Sequence, residues 1–231
     1  MYAATWITGL VLAPCYDPRW TLQVFEAFSS YITHLTLFVQ KPYSILLAGF
    51  PTCPQLRHVE LPSPGLGEVA ELSPVLSQSP YLQHISISHL KVDATASRCL
   101  NKTKFPLSHS PLNTLTLTYI RNAKFLCALV SSIPTRALSI LFESEDHASD
   151  LRNITDALFS ESAMRQKPAH LKALHLERSG RNVERSTVEE RNIALETLRE
   201  FCTRSNVEFK YSFTVSLLFN LLLRAWLIGI S

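Results

Sequence analysis

Three histidines, His34, His58 and His84, each stand at the head of a short run in which apolar and polar residues alternate, 24 and 26 residues apart. Imidazole is the side chain best suited to bind a transition metal, relay a proton or change charge near neutral pH. If the three runs are neighbouring strands in one register, their rings lie side by side at the strand spacing, close enough to touch. No carboxylate or thiolate is spaced to complete a metal shell around them. The expectation is therefore a stacked polar column on a binding face, with no metal and no cofactor.

A second group gathers carboxylates around one histidine, Glu143-Ser144-Glu145-Asp146-His147-Ala148-Ser149-Asp150. Such a set has the parts for acid-base chemistry or for holding a cation. Its spacing suits a wet loop better, with Ser149 or Asp150 capping the helix that follows. The chain carries no nucleophile elbow, zincin motif or phosphate loop, and its six glycines form no G-x-G-x-x-G turn. No catalytic residue is assigned and an enzyme is not expected.

The elements that would position these residues repeat. Leu112-Asn113-Thr114-Leu115-Thr116-Leu117 reads as a strand with Leu115 and Leu117 on one face and Thr114, Thr116 and Thr118 on the other. The same L-x-x-L-x-L pattern occurs at Ile7–Leu12, Ile32–Leu37, Leu56–Leu61, Leu82–Ile87 and Leu171–Leu176. Ala137–Ile140 keeps only the inner pair, and Val207-Glu208-Phe209 is a degenerate last copy. The middle apolar residues Leu10, Leu35, Val59, Ile85, Leu115, Leu138, Leu174 and Val207 recur every 23 to 36 residues.

Between strands the period changes to helical spacing. Asp17-Pro18 can open a helix that aligns Trp20, Val24, Phe25 and Phe28, and 67–76, 122–133 and 150–164 are further helical stretches. The clearest helix runs from Thr187 to about Arg204, with Ser186 and Glu189 as a capping box and Ala194, Leu195, Leu198, Phe201 and Cys202 on one side. Prolines 54, 80, 111, 134 and 168 stand shortly before strands, where they stop a helix.

Strand, helix, proline, strand at this period predicts an α/β solenoid with irregular repeats, a curved parallel sheet on its concave side and helices on its convex side. A doubly wound α/β sheet is the competing architecture. Outward positions of such a sheet would form a second polar column, Thr36, Glu60, Ser86, Thr116, Ser139, His175 and Glu208, beside His34, His58, His84 and Thr114. With Glu177, these residues are the candidate protein-binding face. The insertions Lys91–Lys104 and Arg178–Arg185 are expected to lie in solvent.

The repeats resemble the leucine-rich-repeat family, most closely the substrate-binding region of fungal F-box proteins, over about residues 6 to 210. The family's usual asparagine or cysteine after the strand stands once, as Cys15. The sequence starts almost directly with a strand, so the resemblance is to the substrate-binding region without its F-box. It implies a partner that is a ubiquitin-ligase adaptor or a ligase substrate.

Composition limits other classes. A net charge of +3 with no long basic run argues against nucleic acid as a partner. Five cysteines, Cys15, Cys53, Cys99, Cys127 and Cys202, are far apart and odd in number, which suits a reduced cytoplasmic or nuclear protein. On that reading the sequons at Asn101 and Asn153 are chance matches. The hydrophobic segment 211–231 stands apart from the repeat domain 1–210. Its Ser212, Ser216, Asn220 and Arg224 recur every fourth residue, which suits a capping helix. A tail anchor in a membrane and an altered terminus are the alternatives.

Overall fold

The computed structural model describes residues 8–12, 18–38, 53–64, 76, 78–90, 111–120, 133–142, 146–159, 170–179 and 186–214. Eight strands form one open parallel sheet: β1 (Gly9–Leu12), β2 (His34–Leu37), β3 (His58–Pro62), β4 (His84–Ser88), β5 (Leu112–Ile120), β6 (Thr135–Phe142), β7 (Ala173–Ser179) and β8 (Glu208–Thr214). Their order in space is their order in the chain. A doubly wound sheet reverses its strand order at a switch point, so this topology excludes the competing architecture. The described helices are α1 (Pro18–Phe28), α2 (His147–Phe159) and α3 (Val188–Arg204).

Register follows the leucine pattern. Leu10, Leu35, Val59, Ile85, Leu115, Leu138, Leu174 and Phe209 pair in sequence across the sheet. From Leu35 to Leu174 these residues are buried, as are Leu37, Leu61, Ile87, Leu117, Ile140 and Leu176 two places on. The residue three before each middle position is buried too, at Ile32, Leu56, Leu82, Leu112 and Leu171. In the sixth copy that place is Thr135, also buried, whose hydroxyl donates to the Ala137 carbonyl at 2.9 Å. A polar side chain is accepted there because its hydrogen bond is made locally.

The backbone repeats as well. The Thr8 carbonyl accepts from the amides of both Thr33 and His34, Thr33 from Arg57 and His58, Arg57 from Gln83 and His84, and Gln83 from Asn113 and Thr114. At the other end of three successive strands, Ser63, His89 and Tyr119 all adopt positive φ, between 51° and 56°. Ser63 and His89 donate to the Ser88 and Thr118 carbonyls of the next strand, so the left-handed turn is held by the ladder itself. The turn at Tyr119 coincides with a register shift between Thr118 and Ile120.

Helix ends account for most departures from expectation. The capping box of α3 is Thr187 with Glu190, one residue later than Ser186 with Glu189. Ser186 is used instead at the start of α2, where its hydroxyl accepts from the Ala148 amide at 3.4 Å. The cap of α2 is Asp146, which accepts from the Ser149 amide, so neither Ser149 nor Asp150 caps and the helix starts three residues early. At the end of α3, Asn206 has a φ of 55° and the Val207 amide donates to the Cys202 carbonyl, with Asn206 donating to Thr203. This paired closure commits Val207 to the helix end, and the ladder of β8 begins only at Glu208. The last middle residue is therefore Phe209 in place of Val207.

Strand β8 also runs through the boundary expected at 210, taking residues 211–214 into the sheet. Arg178 and Ser179, expected in a solvated insertion, are buried in β7. Residues 180–185, the insertion 91–104, the helical stretches before Leu76 and Ile133, Asp17, Cys15, Cys99, Cys127, and the tail from 215 lie outside the described residues, as does Asn101. Among described residues no helix is long and apolar enough to cross a membrane.

Candidate functional site

Because side chains alternate along a strand, the buried middle and inner columns leave the residues between them on the opposite, outward face. The first outward column reads Gly9, His34, His58, His84, Thr114, Ala137, Ala173, Glu208. The second reads Val11, Thr36, Glu60, Ser86, Thr116, Ser139, His175, Lys210. Thr114 and Thr116 fall where the pattern put them. Glu208 does not. The delayed start of β8 moves it into the histidine column, and Lys210 takes the place beside His175. Glu177 lies in a third column, paired with Leu141 and Ser212.

The three imidazoles stack. Ring centroids are 4.5 Å apart between His34 and His58 and 4.2 Å between His58 and His84, with planes within 8° of parallel in both pairs. Parallel stacked rings aim their nitrogen lone pairs side by side rather than at a common point, which is the wrong arrangement for a tetrahedral ion. Among the described residues no group of three or more His, Cys, Asp or Glu is placed to hold a metal.

Hydrogen bonding fixes one end of the stack. The Thr33 hydroxyl donates to the Thr8 carbonyl at 3.0 Å and lies 2.8 Å from His34 Nδ1. A hydroxyl has one proton, so the contact with His34 has Nδ1–H as donor and Thr33 as acceptor. The ring is held in that tautomer, with Nε2 as its free acceptor edge. His58, in the middle, has Nδ1 buried without a hydrogen-bond partner. Burial, and after it the neighbouring His84 and His34, hold the His58 imidazole below the usual histidine range.

The second column is tied by short polar contacts. Thr36 donates to Glu60 Oε2 at 3.1 Å, and farther along the strands Thr118 donates to the Ser88 hydroxyl at 2.9 Å. His175 Nε2 and the Ser212 hydroxyl share a hydrogen bond at 3.1 Å. On β8 the exposed pair Glu208 and Lys210 meets at 2.8 Å. That contact lowers the Glu208 pKa and raises that of Lys210. Beyond the second column, His89 and Tyr119 stack at 4.3 Å, aided by their equivalent left-handed turns. Sequence reading passed over this pair, although both stand four places after a middle apolar residue.

The acidic group resolves differently from a wet loop. Glu143 and Glu145 are outside the described residues. His147 is fully buried, sharing a hydrogen bond with the Tyr211 hydroxyl through Nε2 at 3.0 Å and meeting Phe142 edge-on at 5.8 Å. Asp150 is buried in the first turn of α2. Histidine and tyrosine here join α2 to the last strand, a contact between elements. Two described cysteines, Cys53 and Cys202, are buried and in no disulfide, and burial pushes each pKa up to about 11, away from nucleophilic use.

No family model matches the chain, and no curated protein matches it significantly.

Proposed function

We propose that the protein is a non-enzymatic repeat scaffold of leucine-rich-repeat type that binds another protein through the outward face of its sheet. The observation that carries this reading is the continuity of that face. Histidine, threonine, serine and glutamate occupy equivalent places on successive strands, and bonds such as Thr36 to Glu60 order them before any partner arrives. Preordered side chains lose less conformational freedom on binding. The recurring double-amide acceptance by Thr8, Thr33, Arg57 and Gln83 supports a repeat origin, since one backbone device serves four consecutive strands. A curved solenoid with this face concave is the geometry the reading requires.

Substitution of His58 and Glu60 together by lysine reverses the charge of the face without touching the buried columns. Captured partners should be lost while the chain stays folded, its urea unfolding midpoint falling only by the roughly 1 kcal/mol that the lost ring stacking accounts for. Unchanged capture by the double variant refutes the assignment of this face. Within this reading, we place the protein as the substrate-recognition region of an F-box-type ubiquitin-ligase receptor, on the strength of the resemblance of its repeats. Copurification of a ligase adaptor or of a ubiquitinated substrate is the outcome expected, and neither is expected from a scaffold of another pathway.

A further inference from the structure

The histidine stack stops one strand short of the edge of the described sheet. His58 covers one face of the His34 ring, and on the other side the ladder partner of His34 is Gly9, the only residue of that column without a side chain. Both Gly9 and His34 are exposed. A Cβ built on Gly9 would meet only His34 Cβ, at 3.9 Å, an ordinary contact. Gly9 does not have positive φ, so its backbone does not call for glycine. What the glycine provides is room for one ring. Two residues along the same face, Val11 is 64% exposed, an apolar side chain at the head of an otherwise polar column.

The notch therefore has a backbone floor at Gly9, an imidazole wall at His34 and an aliphatic end at Val11. Rings in it would continue a spacing already set twice, at 4.5 and 4.2 Å. We propose that this notch receives a planar aromatic side chain of the protein partner, which completes the stack on His34 and rests its edge on Val11. The inference deepens the reading of the sheet as a protein-binding face and rests on it. A tyrosine, phenylalanine or tryptophan fits because the wall offers stacking and the end offers only apolar contact. A nucleotide base has the same flat shape but brings phosphate, and the nearest described charge on these columns is the Glu60 carboxylate, which repels it.

The test needs no partner. Histidine ring resonances of the whole chain are followed by NMR while N-acetyl-tyrosinamide is added to millimolar concentration, with adenosine monophosphate in a parallel titration. The His34 ring protons should move upfield in a saturable way with the tyrosine amide and less with the nucleotide, while those of His84, at the far end of the stack, stay nearly still. Gly9→Tyr places the chain's own ring in the notch and should abolish the shift while raising the melting temperature. Should that variant fold poorly, His34→Ala, read at the Gly9 amide, must also lose the response. No saturable shift at His34, or a shift that persists in both variants, overturns the notch. A larger response to the nucleotide overturns its assignment to a protein side chain. Either result leaves the His58 and Glu60 lysine test of the face to be decided on its own.

Discussion

Removal of one histidine at a time from the stack makes a graded prediction. His58 contacts a ring on each side, whereas His34 and His84 each contact only one. A cross-strand side-chain pair contributes roughly 0.2–1 kcal/mol relative to alanine. His58→Ala should therefore cost about 1 kcal/mol near pH 8, and His34→Ala or His84→Ala about half as much. The assay is urea unfolding, with the midpoint shifting at constant slope. A second signature separates stacking from mere loss of volume. Because the folded pKa of His58 lies below the ordinary value of 6.5, the unfolded chain binds more protons between those two values. Stability contributed by the neutral ring is full above about 6.5 and falls as pH drops toward the folded pKa. The gap between wild type and His58→Ala should accordingly narrow from about pH 8 to about pH 5. Equal losses at all three positions, or a gap that ignores pH, would falsify the account of the central ring.

Other perturbations probe the frame. Leu117 is fully buried in the inner column, and Leu117→Ala should cost roughly 2–5 kcal/mol by creating a cavity, read as a drop in the unfolding midpoint. A loss under half a kilocalorie would mean that the column is not core. Thr187→Ala removes the hydroxyl that accepts from the Glu190 amide, leaving only the backbone half of the capping box on α3, and should cost about 1 kcal/mol, whereas Ser186→Ala should leave that cap intact. The reverse ranking would return the cap to Ser186.

Most of the fold is legible in the sequence because one face of each strand from β2 to β7 is buried. A one-residue slip would turn the whole leucine set into solvent, so the pattern and the register carry the same information. Errors collect where backbone hydrogen bonding competes with that pattern. Val207 looks like a strand residue, being β-branched and followed by polar and apolar residues in alternation. Its amide is nevertheless taken by Cys202 at the end of α3. Asn206 was the available signal, since asparagine readily adopts the left-handed turn that such a closure needs. At α2 three capping candidates, Asp146, Ser149 and Asp150, stand within five residues, and the Ser186 hydroxyl that meets the Ala148 amide comes from another part of the chain, a contact no local pattern contains.

For the site, the same distinction holds between what a period fixes and what a contact fixes. Equivalent places for His34, His58 and His84 follow from counting along each repeat, and near-parallel rings follow once the strands pair in register. The tautomer of His34 does not, because it depends on a threonine proton already committed to Thr8 one strand away. Nor does the vacancy of the column at β1, where Gly9 fills a variable place in the Ile7–Leu12 copy without disturbing its pattern. A glycine inside a strand weakens it unless its missing side chain is used. Here its exposed backbone lies beside an imidazole whose other face is already stacked, and an exposed valine stands two places on. Weak strand propensity at the head of the sheet and an open ring face on His34 thus have one origin. Filling that place with Gly9→Tyr should strengthen the strand at the expense of recognition, which ties the stability of the edge to its use.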